Sequence, residues 1–291
     1  MRFVSLKDNQ LTDLPVDSIL RLTHLKKLEL QNNPLPDDLI RKLKTTSSKT
    51  YLLNFNIKNP NMNNRPKTAV ITGVSTGIGL GIAKELAQRG YKVFGSVRKE
   101  SDAEKVKQAI GANYIPLIMD VTDEEAILKA AEKVKQELGN EGLGVLINNS
   151  GIAEAGPLMH QPIDEIKQQF EVNIFGLLRV TQVFLPLLGA RENHNSVRGK
   201  ILNISSVGGK IAAPFIGAYV GSKHALEGMS HTLRRELLIY GIDVIIIGPG
   251  AVKTPIWEKV GDLDRYKHTI FDQSIRNFAY YFIAEKVMNN S

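Results

Sequence analysis

Tyr219 and Lys223 stand four residues apart in Tyr-Val-Gly-Ser-Lys, and Ser206 stands thirteen residues before the tyrosine. On a helix, residues four apart share a face at about 5–6 Å between Cβ atoms, so an ammonium at 223 can sit beside a phenol at 219. A free phenol ionises near ~10. A fixed neighbouring cation favours the phenolate and draws that value toward the range in which a general acid or base is effective. Taken alone, Tyr-x-x-x-Lys is also what a solvated helix face shows. Its chemical weight comes from its company, the upstream run Thr72-Gly-Val-Ser-Thr-Gly-Ile-Gly79.

That run follows an apolar stretch and leads directly into a helical pattern. Glycines at 73, 77 and 79 permit a tight turn and close backbone approach, and a helix N-terminus offers N–H groups and a positive dipole end to a pyrophosphate. In an alternating βα chain such a run points to a dinucleotide; elsewhere it is a plain strand-to-helix turn. From Lys67 onward the texture is of that alternating kind. Strands are predicted at Ala69–Gly73, Lys92–Val97, Tyr114–Met119, Val145–Asn148, Lys200–Ile204 and Asp243–Ile247. Helices are predicted at Ile78–Arg89, Asp102–Ile110, Asp123–Leu138, Ile163–Leu188 and Ala218–Tyr240. Continuous apolar strands separated by helices imply an α/β fold, a doubly wound parallel sheet of Rossmann type covered on both faces. Ligands of such sheets bind at the carboxyl ends of the strands.

The region before it reads differently. Met1, Val4, Leu6, Asn9 and Leu11 recur at a period of 24 as Leu25, Leu28, Leu30, Asn33 and Leu35. This is the leucine-rich-repeat pattern, with a decayed third unit at Leu53 and Phe55. The expected organisation is a repeat-like extension over 1–57, an Asn/Pro-rich linker over 58–66 and the α/β domain over 67–291. An apolar-patterned helical extension is the alternative for 1–57. So few repeats cannot bury an apolar face alone, so the extension is expected to pack on the main domain, on a partner chain, or poorly.

Composition narrows the function classes. The 291 residues contain no cysteine, which excludes disulfides, thiolate metal sites and cysteine nucleophiles. Six histidines show no paired ligand spacing, and no metal is expected. The net charge of +7 is concentrated in residues 1–66, with 11 Lys+Arg against 6 Asp+Glu, while residues 67–291 carry 26 against 24. Without a dense basic block this describes a solvated surface, and no nucleic-acid partner is expected. The polar start is unlike a signal peptide and no stretch reaches the ~18 apolar residues of a membrane span, so the expected location is cytoplasmic.

The spacing T-G-x-x-x-G-x-G resembles the short-chain dehydrogenase/reductase family. Further matches arrive in family order: Asp120-Val121, Asn148-Asn149-Ser150-Gly151, Asn173 in Val-Asn-Ile-Phe-Gly, Asn203-Ile-Ser-Ser206, Tyr219 with Lys223, and Pro249-Gly250 with Thr254. The resemblance spans about Lys67 to Pro255, and Ser206-Val-Gly-Gly looks like the hydroxysteroid and retinol dehydrogenase branch.

The resemblance implies hydride transfer between a nicotinamide cofactor and a carbonyl or secondary alcohol. Tyr219 is then the acid/base, Ser206 holds the substrate oxygen, Lys223 lowers the phenol pKa and bonds the cofactor ribose, and Asn173 supports a proton relay. Ser205 is the adjacent competitor for the Ser206 role. Gly73, Ser75, Thr76, Gly77, Ile78 and Gly79 form the cofactor cradle. Asp120 accepts from the adenine amino group while Val121 packs on the ring; a helix-cap network with Thr122 and Asp123 is the alternative. Asn149 and Gly151 let the chain run near the adenosine ribose, and Pro249, Gly250, Val252 and Thr254 fold over the carboxamide. Arg98 stands where an enzyme preferring NAD shows an acid, and pairing with a 2′-phosphate, with Lys99 assisting, implies NADP(H) over NAD(H). A surface charge is the alternative for Arg98.

Pro255, Ile256, Trp257, Tyr266 and Phe271 are expected to form an apolar lid for a hydrophobic substrate. Only 37 residues follow Thr254, so a C-terminally shortened domain with one helix over Gln273–Val287 and no seventh strand is expected. Pairing through the long helices, as in the family, implies a homo-oligomer. The alternative function is a catalytically weak cofactor-binding protein that recruits a partner through its N-terminal repeat.

Overall fold

The computed structural model describes residues 66–139, 141–191 and 198–256, together with the backbone of three short strands nearer the N-terminus. The chain divides into two units, 1–63 and 64–291. In the first unit, β1 (Phe3–Ser5), β2 (Lys27–Glu29) and β3 (Leu52–Asn54) pair in parallel, with Val4, Leu28 and Leu53 in register. The rest of the expected repeat over 1–57, and the linker apart from Pro66, lie outside the described residues.

In the second unit, six strands form one parallel sheet: β4 (Thr68–Ile71), β5 (Lys92–Val97), β6 (Tyr114–Ile118), β7 (Val145–Asn148), β8 (Lys200–Ile204) and β9 (Asp243–Ile247). Their spatial order is β6-β5-β4-β7-β8-β9. The order reverses between β4 and β7, and the crevice of a doubly wound sheet opens at that switch point. Pro116 lies in β6, whose only strand partner among the described residues is β5. A residue without an N–H is accommodated at such an edge.

Among the described residues, six α-helices cover the sheet: α1 (Gly77–Gln88), α2 (Glu100–Ile110), α3 (Glu124–Leu138), α4 (Ile163–Phe170), α5 (Leu177–Phe184) and α6 (Gly217–Glu236). Strand periodicity sends alternate side chains to opposite layers. In β4, Ala69 and Ile71 join Ala83 and Ala87 of α1 and Val106 of α2, whereas Val70 joins Ile127 and Val134 of α3 and Val180 and Phe184 of α5. Asp123 caps α3 by accepting from the Ala126 N–H at 3.0 Å. Gly95 of β5 leaves room for Tyr114, whose hydroxyl donates to the Gly95 carbonyl at 3.1 Å.

The expected single helix over Ile163–Leu188 is interrupted by a π-helical turn, Glu171–Gly176. Asn173 lies in it, with its side chain tied to the Ile152 backbone, and a Cβ on Gly176 would stand 2.7 Å from a Val121 methyl. These tertiary ties, invisible to helical periodicity, hold the widened turn. The expected last turn of α6 tightens into a 3₁₀ segment, Leu237–Tyr240, closed by Gly241 at φ +68°. Trp257, Tyr266, Phe271 and the helix expected over Gln273–Val287 lie outside the described residues. Among the described residues no helix is long and apolar enough to cross a membrane, and no group of three or more His, Asp or Glu side chains could hold a metal.

Candidate active site

The end of β4 and the start of α1 make the glycine turn. Gly73 and Gly77 both have positive φ, +71° and +59°, conformations that glycine adopts at no steric cost. Gly79 faces inward, and a Cβ there would overlap the Gly73 carbonyl oxygen and the Asn149 side-chain nitrogen. The turn is fastened by neighbouring strands: the Gly73 N–H donates to Ser96 Oγ at 3.0 Å, and Asn149 Nδ2 donates to the Thr72 and Gly73 carbonyls at 2.9 and 3.0 Å. Thr72 Oγ1 in turn accepts from the backbone N–H groups of Asn149 and Ser150, each at 2.9 Å. The side chain of Asn149, expected near a ribose, is therefore occupied in holding the cradle.

A crevice of about 630 Å³ opens over this turn. Gly73, Ser75, Thr76, Gly77 and Ile78 line it from the glycine turn, Arg98, Asp120 and Val121 from the ends of β5 and β6, and Asn149 and Gly151 from the end of β7. Ser206, Tyr219 and Lys223 enter from β8 and α6, and Pro249, Gly250, Val252 and Thr254 from the segment after β9. Gly79 and Asn173 stand behind the wall, as supports. The bare glycine turn at a helix N-terminus and the basic Arg98 at the rim suit the pyrophosphate and phosphate groups of a dinucleotide.

Asp120 Oδ1 accepts from the Thr122 N–H at 2.9 Å and from its hydroxyl at 2.8 Å, so the side-chain network read as the alternative is built, while the cap of α3 falls to Asp123. Arg98 Nη1 lies 4.0 Å from Asp120 Oδ2, with the Arg98 side chain 71% exposed. An exposed pair at that separation is weak, about 0–1 kcal/mol, and leaves the guanidinium able to turn to another anion.

At the other end of the crevice, Ser206 Oγ accepts from the Gly208 N–H at 3.1 Å and shares a hydrogen bond with the Tyr219 phenol. Ser205 Oγ lies on the other side of the backbone, 2.8 Å from where a Cβ on Gly209 would stand. Lys223 Nζ sits 5.7 Å from the Tyr219 ring centroid and donates to the Ile204 carbonyl at 2.9 Å. Asn173 Nδ2 donates to the Ile152 carbonyl and to Ser222 Oγ, both at 3.0 Å, while its Oδ1 accepts from the Ile152 N–H at 2.9 Å. Ser222 Oγ then donates to the Tyr219 carbonyl at 2.7 Å. The π-helical turn is thus wired to the first turn of α6.

Burial pushes the Tyr219 phenol above its ordinary value, and the Ser206 hydrogen bond only partly opposes this. Burial also destabilises the Lys223 charge and lowers its pKa to about 8. The chain by itself holds a protonated phenol beside an ammonium that is ready to release its proton.

The parts played by three residues escaped sequence reasoning, one of them, Thr72, within the glycine motif itself. Thr72 and Ser96 act through hydroxyls at strand ends, where small polar residues are common and nothing marks the partner. Glu227 lies one turn beyond Lys223 on α6, with its side chain 8% exposed and its Oε2 2.6 Å from Lys210 Nζ. The spacing 219, 223, 227 on one helix face was the available signal.

The family profile described as short chain dehydrogenase matches residues 67–264. An NADPH-dependent 3-dehydrocapnine reductase of Ornithobacterium rhinotracheale is 46% identical over 191 residues, 66% of this chain and 67% of that one. Retinol dehydrogenase 16 of Mus musculus is 34% identical over 208 residues, and this chain spans 63% of its length. Among solved structures, a short-chain dehydrogenase from Streptomyces avermitilis superposes with a TM-score of 0.59 at 33% identity, over 64% of this chain and 66% of that one. An alcohol dehydrogenase from Thermococcus sibiricus, solved with 5-hydroxy-NADP, superposes at 0.58 with 29% identity, over 65% and 77%. The matched span coincides with the sheet that carries the glycine turn and the Ser206–Tyr219–Lys223 cluster, and the chain is a member of the short-chain dehydrogenase/reductase family of oxidoreductases.

Proposed function

We propose that this protein reduces a carbonyl group on an apolar substrate with NADPH. The observation that carries the reading is the convergence of the Tyr219 phenol, the Ser206 hydroxyl and the Lys223 ammonium on one crevice that also holds the glycine turn. Preference for the phosphorylated cofactor rests on Arg98 at the crevice rim, and the NADPH-dependent relative supports it.

When bound, the nicotinamide supplies the hydride that the carbonyl carbon accepts. Ser206 holds the carbonyl oxygen by a hydrogen bond and so stabilises the charge that develops there. Tyr219 gives its phenolic proton to that oxygen, which completes the alcohol. A phenol kept protonated by burial is matched to this direction, since an acid must carry its proton when the reaction begins. Lys223, with a pKa near 8, is suited to return the proton to Tyr219 at neutral pH. Reversed, the same groups oxidise a secondary alcohol once Tyr219 is ionised.

Support for an apolar substrate comes from the part of the crevice beside Tyr219, where Ile152, Ala153, Pro255 and Ile256 line the wall. Groups of this kind reward burial of hydrocarbon by about 25 cal/mol per Å² and offer little to a charged substrate. The test is a panel of apolar ketones and aldehydes with NADPH, followed by loss of absorbance of the reduced cofactor. Turnover on at least one long-chain or ring ketone is expected; binding of NADPH with no turnover on any member contradicts the reading.

A further inference from the structure

The face of α6 that carries Tyr219 and Lys223 continues to a third ionisable residue, Glu227, which the proposed reaction does not use. Its carboxylate is nearly enclosed, and its ion pair with Lys210 at 2.6 Å is the shortest that α6 makes among the described residues. Lys210 ends the turn that begins at Ser206, in which Gly209 N–H donates to the Ser206 carbonyl at 2.9 Å and Lys210 N–H to the Val207 carbonyl at 2.9 Å. The turn is squeezed between two points of the same helix. A Cβ on Gly208 would stand 3.4 Å from the Tyr219 ring, and one on Gly209 would stand 3.1 Å from both Cγ and Oε1 of Glu227. The missing side chains let the turn lie flat on α6, and the ion pair pins its far end.

We propose that Glu227 is a positioning residue for Ser206: by holding Lys210 it clamps the turn Ser206–Lys210 on α6 and keeps the Ser206 hydroxyl at the Tyr219 phenol. The second anchor of the turn is the Val207 N–H bond to the Pro249 carbonyl at 2.9 Å, which ties it to the segment over the crevice. Burial raises the Glu227 carboxyl, but Lys210, the adjacent Ser205 and the charge of His231 outweigh that and hold it below the usual carboxylate range. The clamp is therefore charged at neutral pH. The titratable groups facing the assembly are Lys223 on the phenol side and Lys210 and His231 on the carboxylate side.

The proposal rests on Tyr219 being the proton donor, and its test separates the two. The full-length protein is titrated by rapid pH jump, and the Tyr219 phenolate is read as the absorbance difference between each protein and its Tyr219→Phe counterpart. Removing a nearby carboxylate lowers a phenol pKa by direct electrostatics, whereas losing the Ser206 hydrogen bond raises it. Glu227→Gln is expected to raise the phenol titration in the same direction as Ser206→Ala. With a ketone probe it is expected to lower kcat roughly tenfold, the loss of about one hydrogen bond, while the KM for NADPH is unchanged. Lys210→Met, at a residue 63% exposed, removes a cation and so raises the phenol by direct electrostatics as well. Its arm is read on kcat, expected to fall roughly tenfold with the KM for NADPH unchanged, and keeps the test open where Glu227→Gln folds poorly. A phenol titration that stays in place or falls in folded Glu227→Gln, or a kcat unchanged in folded Lys210→Met, overturns the proposal. An upward shift in a protein that reduces no ketone upholds the clamp and defeats the carbonyl-reduction reading instead.

Discussion

Lys223 and Tyr219 share a face of α6, with the ammonium nitrogen 5.7 Å from the phenol ring centroid and its hydrogen bond, at 2.9 Å, given to the Ile204 carbonyl at the end of β8. The helix and the strand are thus joined by a buried charge, and that charge is costly. Its pKa of about 8 records the cost as a preference for the neutral amine.

A pH dependence of stability follows. The unfolded lysine binds its proton up to about 10.5, the folded one only up to about 8, so between these values the unfolded state holds more protons. Stability of the cofactor-free protein is therefore expected to rise with pH from about 8 toward 10, and the burial cost is present in full below that window. Lys223→Met is expected to flatten this rise. Urea midpoints taken from pH 7 to below pH 10 check it, before Tyr114, pushed up to about 12 by burial, contributes in the opposite sense.

Arg98 is expected to set the cofactor preference. A charge-assisted hydrogen bond contributes about 1.5–3 kcal/mol, so Arg98→Asp should lower the ratio of kcat/KM for NADPH over NADH by roughly 10–100-fold. Equal use of both cofactors by the wild type and the variant would remove Arg98 from the account.

Gly79→Ala should damage the cradle without touching the acid/base groups. The added methyl overlaps the Gly73 carbonyl and the Asn149 amide, and overpacking of this kind costs about 1–3 kcal/mol. NADPH affinity is expected to fall at least as far as stability does, read by fluorescence titration beside a thermal melt.

Asn173 is expected to be structurally exacting. Asn173→Ala leaves the Ile152 N–H and carbonyl without their side-chain partner, at about 1–3 kcal/mol for each group left unsatisfied, while Ser222 Oγ keeps its bond to the Tyr219 carbonyl. Asn173→Asp retains an acceptor for the Ile152 N–H but loses both donated bonds, and should fall between the wild type and alanine. Melting temperatures in that order check the wiring of the π-helical turn.

The alternation of apolar runs with amphipathic stretches located all six strands of the main sheet, because a parallel strand covered on both faces must be apolar along its whole length. It could not reveal the π-helical turn, since the bonds that hold Asn173 come from Ile152 and Ser222, remote in sequence. The crevice residues were legible wherever glycine geometry or an ionisable group marked them. What the Thr72 and Ser96 hydroxyls hold was hidden, because a hydroxyl at a strand end announces nothing until its partner is known. The upward shift of the Tyr219 phenol was not legible for a physical reason: spacing foretells proximity, whereas desolvation depends on everything packed around the pair. Glu227 shows the converse, a spacing that was readable and a role that only burial exposes.

The central claim is that the Tyr219 phenol delivers the proton. NADPH oxidation with an apolar ketone, measured for the wild type and for Tyr219→Phe beside the NADPH dissociation constant of each, tests it most directly. The account predicts a fall in kcat of roughly 10²–10⁴-fold with cofactor affinity retained, the range for removing a general acid. A Tyr219→Phe protein that turns over at the wild-type rate would contradict it.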